Sequence, residues 1–278
     1  MSSIQLTPKA HKRLSAFVGE MAGIQLPAHK KNLIESRLRK RVVSLDFNNF
    51  DDYVEFFLSD DKGAKTEQSI VIDLLTTNKT DFYREARQFE FLSEFYSNSA
   101  NRLLLKRKPL NVWCAAASTG EEPYTLALEL SELARVYSDF SFRILATDIS
   151  PTVLATARRG VYPESRIATV PLELRKRYFL RSKDTSKALV KMSKPLRNSI
   201  QFDEFNLIQG DYSALSKFDV IFCRNVMIYF SPEDRQKVIA NLRQRLNPNG
   251  LLFVGHAESI GHNRLDFQQL IPTVYQVK

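Results

Sequence analysis

Several features that define other protein classes are scarce or missing in this sequence of 278 residues. The two cysteines, Cys114 and Cys223, lie in apolar runs without a CxxC or similar spacing, which argues against a disulfide framework and against a structural metal site. No apolar run approaches the roughly 20 residues that span a bilayer, and the polar first residues do not resemble a signal peptide. We therefore expect a cytoplasmic protein without a membrane-inserted segment and without a bound metal.

Glycine and proline are also scarce, with 9 and 11 residues, which excludes a collagen-like or linker-dominated chain. Hydrophobic residues make up 44% of the sequence and charged residues 26%, a balance typical of a folded chain with a substantial core. No internal repeat is visible. The length fits one large domain or two smaller ones.

The formal net charge of +9 is unevenly distributed along the chain. Nine Lys and Arg face two Glu between Lys9 and Arg41, whereas eight acids face two lysines between Val42 and Leu75. A second basic block, Arg158–Arg197, has twelve Lys and Arg against three acids. Two separate basic blocks favour a surface for an acidic macromolecule, which is either a nucleic acid or an acidic protein helix.

Apolar residues recur at helical spacing in the first part of the chain, which predicts a small helical bundle over residues 1–75. On the segment Lys30–Arg41, the apolar side chains of Leu33, Ile34 and Leu38 are expected to face the bundle. The basic side chains of the same segment, Arg37, Arg39, Lys40 and Arg41, would then point mainly outward as a basic ridge. We expect the three arginines of this ridge to bind an acidic partner.

From Asn111 onward, short β-rich runs alternate with helices, which predicts a mostly parallel sheet with crossover helices. The runs are NVWCAAA, FRILATD, FDVIFCRNV and LLFVGHAE. Ser150-Pro151 and Gly160 mark the two ends of one helix, and Ser231-Pro232 marks the start of another.

The basic stretch at about 162–205 fits neither a single helix nor a single crossover. Its alternating runs, KALVKM and SIQFDEF, predict a small antiparallel β insertion. We thus predict a helical domain over 1–75, a linker and helix over 76–110 that contribute to a cofactor pocket, and an α/β domain over 111–278.

Residues 111–124 are predicted to form a strand, a tight turn of small residues and the start of a helix, an arrangement that lets a nucleotide-like ligand approach the backbone. The turn is neither GxGxxG nor GxxxxGK[ST], which disfavours dinucleotides and triphosphates. Glu121 in the turn would suit an ammonium group, and Asp148 ends the next strand, where such sites bind ribose hydroxyls. S-adenosylmethionine has both groups and no phosphate.

Five motifs together resemble the CheR family, the methyltransferases that methylate glutamate side chains of bacterial chemoreceptors. They are TTNKTDFYRE, AAASTGEEPY, ATDIS, FCRNVMIYF and GLLFVGHAES. The resemblance covers nearly the whole chain. It implies an all-helical N-terminal domain and a Rossmann-like methyltransferase domain with a small antiparallel insertion. It also implies S-adenosylmethionine as cofactor, S-adenosylhomocysteine as product, and a methyl-accepting chemoreceptor as partner.

The same resemblance implies which residues bind the cofactor. They are Asn78, Thr80, Arg84, Glu121, Asp148, Asn206, Leu207, Arg224 and Asn225. Arg84 can pair with the methionyl carboxylate, while Asn78 and Thr80 supply short hydrogen-bonding groups. Taken alone, the segment TNKTDFYR would be interpreted as ordinary helix capping.

Methyl transfer to a glutamate needs no general base, because a side chain with a reference pKa of about 4.3 is already ionised at neutral pH. We expect positioning and desolvation to carry most of the rate, with Tyr229 as the candidate that shapes the pocket or holds the carboxylate. The alternatives are a nucleic-acid methyltransferase and a non-catalytic cofactor-binding module. Asn225 is followed by Val-Met-Ile-Tyr rather than by two prolines and an aromatic, which argues against the first. We expect a monomer that binds no nucleic acid.

Overall fold

The computed structural model describes residues 5–105 and 108–278, and the contacts among them divide the chain into two units. The first unit runs to Thr77 and also contains Asn206–Gln209 and Tyr229–Asp234. The second contains the rest of the described chain, from Asn78 onward. No helix in these residues has the length and apolarity that a membrane span requires.

Among the described residues, the first unit contains four complete α-helices. They are α1 (Pro8–Ala22), α2 (Lys31–Ser44), α3 (Phe50–Phe57) and α4 (Ala64–Leu75). Side chains cap two of them, since Thr7 accepts a hydrogen bond from the Ala10 amide and Asn49 accepts one from the Asp52 amide. Gly23, with φ of 72°, ends α1 in the left-handed conformation that glycine adopts most readily.

Helix α2 differs from its predicted orientation. Ile34, Leu38 and Val42 are fully buried, but Leu33 is 39% exposed and does not face the bundle. Because successive helical residues are rotated by about 100°, a face centred between residues 34 and 35 excludes residue 33 and takes in Glu35. The prediction for Leu33 was therefore wrong.

The second unit contains seven helices and ten strands in the described residues. The helices are α5 (Arg87–Ser97), α6 (Ser99–Leu103), α7 (Glu121–Val136), α8 (Pro151–Arg159), α9 (Leu172–Tyr178), α10 (Lys194–Asn198) and α11 (Pro232–Arg245), the first turn of which groups with the helical unit. The strands are β1 (Leu110–Cys114), β2 (Phe142–Asp148), β3 (Val161–Pro163), β4 (Phe179–Arg181), β5 (Leu189–Met192), β6 (Ile200–Glu204), β7 (Phe218–Cys223), β8 (Leu246–Val254), β9 (Phe267–Ile271) and β10 (Val274–Val277).

Seven strands form one sheet in the order β6-β2-β1-β7-β8-β10-β9. The five strands from β6 to β8 are parallel, and β10 and β9 extend the sheet in antiparallel pairs. The central strands β1 and β7 have almost entirely buried side chains, as expected for a sheet that helices cover on both faces. The predicted α/β architecture is confirmed.

The small antiparallel sheet of the insertion contains β3, β5 and β4, in that order. The run SIQFDEF, predicted to belong to this insertion, instead forms β6 and pairs in parallel with β2 of the large sheet. Ile200 and Phe202 are 7% and 8% exposed, so the alternation marked a strand with one buried face. Alternation alone does not identify the partner strand, and that prediction was wrong.

The predicted ends of α8 and the predicted start of α11 match the structure. Ser150 accepts a hydrogen bond from the Val153 amide, Pro151 occupies the first turn, and Gly160 ends α8 with φ of 58°. The Ser231 hydroxyl likewise accepts a hydrogen bond from the Asp234 amide at the start of α11.

Candidate cofactor site

The chain order of the large sheet reverses between β1 and β7, because β2 and β6 lie on one side of this pair and β8 lies on the other. Ligands of open α/β sheets bind at such a switch point, beyond the carboxyl ends of the strands. The Ala115 amide donates to the Phe222 carbonyl at 2.8 Å, so the loops that follow β1 and β7 start side by side.

A tight turn follows β1 and ends at Gly120, which precedes α7 with φ of 101°. A Cβ atom at Gly120 would lie 2.8 Å from Tyr162 Oη and 2.9 Å from Ala157 Cβ, so a side chain would not fit. Ser118 also has a positive φ, of 48°. The turn therefore keeps a strained backbone with small side chains, which is typical of ligand sites.

Asp148 lies at the end of β2 and is 8% exposed. One carboxylate oxygen accepts the Ser118 amide at 2.8 Å, and the other accepts the Ser150 amide at 3.0 Å. This carboxylate thus connects the turn after β1 with the start of α8.

Glu121 occupies the first turn of α7, and its side chain is 2% exposed. Its Oε2 accepts the Thr119 hydroxyl at 2.6 Å, and its Oε1 accepts Arg166 Nη2 at 2.5 Å. The α7 N-terminus favours the negative charge, and Arg166 compensates it. Glu121 is a fixed, buried carboxylate beside the turn.

The segment that precedes α5 contributes backbone groups to the same region. The carbonyl oxygen of Asn78 accepts the Ser118 hydroxyl at 3.0 Å, and that of Thr80 accepts Arg166 Nη2 at 2.5 Å. Arg84 donates to the Lys79 carbonyl, which curls the segment on itself.

Backbone strain is concentrated near this segment. Tyr83 and Glu85 both have positive φ angles, of 56° and 61°. Strain at non-glycine residues persists where surrounding contacts hold it, and functional sites are common places for it. The two residues are held by Tyr83 Oη donating to Glu129 and by Arg224 contacting Glu85.

Arg224 follows β7 and is fully buried between two carboxylates. Its guanidinium nitrogens lie 3.2 Å from Glu85 and 3.3 Å from Glu122, and Nη2 donates to the Arg84 carbonyl at 2.5 Å. The guanidinium also lies over the Phe89 ring, 5.1 Å from its centroid. Burial raises the pKa of the Glu122 carboxyl, although Arg224 acts to lower it.

Glu258 fixes the loop that carries Arg224 and Asn225. Its two carboxylate oxygens accept the backbone amides of Asn225, Val226, Met227 and Gly255 at 2.5 to 3.0 Å. Asn225 has φ of 56°, a conformation that this carboxylate holds in place. A Cβ atom at Gly255 would lie 2.4 Å from Asn225 Nδ2, so the approach requires glycine.

Neither Glu258 nor Arg166 was among the predicted site residues. Glu258 lies inside the GLLFVGHAES motif, where an acid shortly after a strand could have signalled a loop anchor. Arg166 is one of twelve basic residues in its block, and nothing in the sequence distinguishes it from its neighbours.

Three predicted site residues group with the helical unit. Asn206 Nδ2 donates to the Met21 carbonyl at 2.6 Å, and Leu207 is 7% exposed. The Tyr229 carbonyl accepts the Gln25 amide at 2.9 Å. Their assignment to the cofactor and to the transferred group stays a prediction.

The three predicted substrate-binding arginines of α2 have different surroundings. Arg37 Nη1 donates to the carbonyls of Leu75 and Thr76 at the end of α4, while Arg39 Nη2 lies 3.3 Å from Glu35 and is half-exposed. Arg41 contacts the buried Glu67 at 2.6 Å. Two of the three guanidiniums, those of Arg37 and Arg41, thus contact α4 or its end instead of pointing outward as predicted.

The fold defines a doubly wound α/β protein with a tight turn of small residues at its switch point. Two buried carboxylates, Asp148 and Glu121, lie beside this turn. The donor set fits S-adenosylmethionine. Residues 9–76 match the CheR methyltransferase all-alpha domain and residues 78–275 match the CheR methyltransferase SAM binding domain.

The chain belongs to the CheR methyltransferase family. It is 38% identical over 255 residues to chemotaxis protein methyltransferase 2 of Pseudomonas aeruginosa, covering 92% of this chain and 88% of that protein. It is 35% identical over 272 residues to the Salmonella typhimurium chemotaxis protein methyltransferase, covering 98% and 91% of the two chains. Identity to the Borreliella burgdorferi chemotaxis protein methyltransferase is 35% over 278 residues, covering 99% and 96%. This chain is therefore an S-adenosylmethionine-dependent methyltransferase of chemotaxis, as predicted.

Proposed function

We propose that this enzyme methylates specific glutamates in the helical cytoplasmic region of chemoreceptors and forms glutamate methyl esters. The observation that carries the proposal is the pair of buried carboxylates, Asp148 and Glu121, at the switch point of a CheR-type domain. They suit the ribose and the amino group of S-adenosylmethionine. We further propose that the protein acts as a cytoplasmic monomer and does not act on nucleic acid.

Seven of the nine predicted cofactor residues have a role in this proposal. Asp148 accepts ribose hydroxyls, Glu121 accepts the amino group, and Arg84 pairs with the methionyl carboxylate. The loop Arg224–Asn225 and the segment with Asn78 and Thr80 provide the walls. Bound S-adenosylmethionine supplies an electrophilic methyl group on a positively charged sulfur.

The chain needs to supply orientation and exclusion of water, because the glutamate carboxylate is already the nucleophile at neutral pH. No side chain has to remove a proton. Tyr229 is the proposed residue that shapes the pocket or holds the incoming carboxylate. Glu258 supports this chemistry indirectly, since it fixes the backbone amides around Asn225.

The basic surface of α2 is the proposed receptor-binding surface. It contains Arg37, Arg39, Lys40 and Arg41. Acidic receptor helices would be steered toward it by charge, and such steering affects encounter and register more than affinity. Among these residues, Arg39 and Lys40 have the least contact with the rest of the helical unit.

Incubation with S-adenosylmethionine tritiated in the methyl group tests the proposal, with receptor cytoplasmic fragments, tRNA and buffer as parallel samples. We expect label on the receptor that mild alkali releases as volatile methanol, since glutamate methyl esters hydrolyse in base. Mass spectrometry of the labelled peptide should place the methyl group on glutamate.

A receptor fragment in which the labelled glutamates are replaced by alanine is the matched control and should take up no label. Label that stays on the receptor through alkali would identify methylation of nitrogen instead. Label on tRNA would favour the nucleic-acid alternative. Either result contradicts the proposed function.

A further inference from the structure

An arginine from the insertion, Arg166, reaches the candidate cofactor site. It lies on a 3-10 helix, Glu164–Ile167, between β3 and α9. Its guanidinium donates to Glu121 Oε1 and to the Thr80 carbonyl, both at 2.5 Å, and to Asp81 Oδ1 at 3.0 Å. Arg166 therefore connects the insertion with two segments that carry predicted cofactor residues.

The carboxylate that Arg166 contacts is the one proposed to receive the amino group of the cofactor. Oε1 of Glu121 accepts Arg166, and Oε2 accepts the Thr119 hydroxyl. With a side chain only 2% exposed, Glu121 has little solvent to compensate its charge, so the guanidinium does so. An ammonium group on the same carboxylate brings a second positive charge close to Arg166, and the two cations repel each other.

The two members of this ion pair differ in how deeply their side chains are buried. Glu121 is buried in the first turn of α7, whereas the Arg166 side chain is 37% exposed. A second carboxylate, Asp81, is 49% exposed and already contacts the same guanidinium. Moving the arginine toward Asp81 and solvent costs less than moving the buried carboxylate, so Arg166 is the exchangeable member.

We propose that Arg166 belongs to the cofactor site as the resident counter-ion of Glu121, and that it lowers the affinity for ligands that carry an amino group. The amino group must share Glu121 with the guanidinium or displace it. This inference rests on the proposed binding of the cofactor amino group to Glu121.

The sign of the effect follows from the charges. Without Arg166, Glu121 is a buried carboxylate that lacks its cation, and the ligand amino group becomes the cation that compensates it. The ligand also no longer meets a like charge. A ligand that keeps the carboxylate but has no amino group neither compensates Glu121 nor is relieved of repulsion by Arg166, so its affinity should change little. Loss of Arg166 therefore raises the affinity ratio between the two ligands.

The test is calorimetric binding of two probes to the full chain, S-adenosylhomocysteine and its desamino analogue, which keeps the carboxylate. For Arg166→Met we expect the ratio of their affinities to rise about fivefold or more, with most of the change in S-adenosylhomocysteine. Methionine keeps an unbranched apolar stem and removes the charge. Arg181→Met is the matched control, because Arg181 pairs with Glu164 in the same insertion, is 79% exposed and should leave the ratio unchanged.

An unchanged or lower ratio in Arg166→Met overturns the proposal. Equal loss of affinity for both probes would also overturn it, because that result assigns Arg166 to the methionyl carboxylate or to the shape of the site. Glu121→Gln in the otherwise unchanged chain should lower the ratio, and an unchanged ratio there removes the premise. Failure of the proposed function is seen separately, as a wild-type protein that binds S-adenosylhomocysteine but does not methylate receptor fragments.

Discussion

Each unit contains a buried carboxylate paired with a partly exposed arginine, and the two arginines are used differently. In the helical unit, Arg41 Nε and Nη2 both donate to Glu67, whose side chain is 4% exposed. The Tyr53 hydroxyl donates to the same carboxylate at 2.6 Å. Burial acts to raise the pKa of Glu67, but the hydrogen bonds from Arg41 and Tyr53 outweigh it and lower the pKa.

In the α/β unit, Arg166 divides its donors among Glu121, Thr80 and Asp81. Arg41 directs its donors to a single carboxylate and so fixes α2 against α4. Arg166 spreads its donors over three groups, so it can give up one partner and keep the others. The same pair of residue types stabilises the helical unit at Arg41 and Glu67, and in our proposal it tunes ligand binding at Arg166 and Glu121. The observed difference is the number of acceptors around the guanidinium, which is one carboxylate for Arg41 and three groups for Arg166.

The largest expected effect is on the helical unit. Arg41→Met should reduce its free energy of unfolding by about 3 kcal/mol, because it leaves Glu67 buried without its cation. Urea unfolding followed by far-UV circular dichroism measures this loss, while fluorescence of Trp113, the one tryptophan, follows the α/β unit separately. Added S-adenosylhomocysteine should not restore the loss. Arg39→Met, at a half-exposed pair with Glu35, is the control and should cost less than about 1 kcal/mol.

A smaller, ligand-dependent effect is expected for the second pair. Arg166→Met should destabilise the ligand-free α/β unit by about 1–2 kcal/mol, measured by Trp113 fluorescence. At one fixed, saturating concentration of S-adenosylhomocysteine, the difference in free energy of unfolding between Arg166→Met and wild type should decrease by about 1 kcal/mol, if the variant binds this ligand fivefold more tightly. If the stability difference between Arg166→Met and wild type does not change with ligand, this ion pair is purely structural, as Arg41 and Glu67 are.

Acid should shrink the effect of Arg41→Met. In the wild type, the lowered pKa of Glu67 gives stability that is present above the unfolded-state pKa of about 4.3 and is lost as the pH falls through the folded-state value. In the variant, burial without Arg41 favours the protonated carboxyl, so the penalty exists mainly at neutral pH. The difference of about 3 kcal/mol at pH 7 should fall to about 1 kcal/mol at pH 3. Urea unfolding curves of both proteins at four pH values measure this. A stability difference between wild type and Arg41→Met that stays constant with pH would contradict the prediction.

The smallest effect is expected at the exposed basic surface. Arg39→Ala combined with Lys40→Ala should raise the Michaelis constant for receptor about two- to fivefold at low salt and leave it unchanged at high salt. Affinity for S-adenosylhomocysteine should not change. Lys183→Ala combined with Lys187→Ala removes the same charge from the insertion. If only this second variant raises the Michaelis constant, the insertion and not α2 meets the receptor.

Local patterns predicted much of the fold because they depend on neighbours in the chain. Ser150, Pro151 and Gly160 act within α8 itself, so its limits follow from cap chemistry. Strand runs such as FRILATD are equally local, and their length and apolarity indicated a buried parallel sheet. The motifs around Glu121 and Asp148 also indicated the family, which the comparisons confirm.

Contacts between distant parts of the chain account for what was missed. The strand β6 was predicted correctly as a strand but placed in the wrong sheet, because pairing with β2 depends on tertiary packing. Leu33 was placed inside the bundle, although a shift of one residue in the buried face exposes it. Glu258 accepts amides from a loop some 30 residues earlier, and such partners have no local signal.

Spacing and residue type over a few positions were enough to predict the helical first unit, four strands of the large sheet, the small-residue turn and the two carboxylates beyond strand ends. Tertiary structure alone decided which cation each carboxylate receives. Arg41 and Arg166 are both basic residues in basic blocks, and the sequence does not separate them. Their partners lie 26 and 45 residues away, and a charge pairs with whatever the fold brings within hydrogen-bond distance.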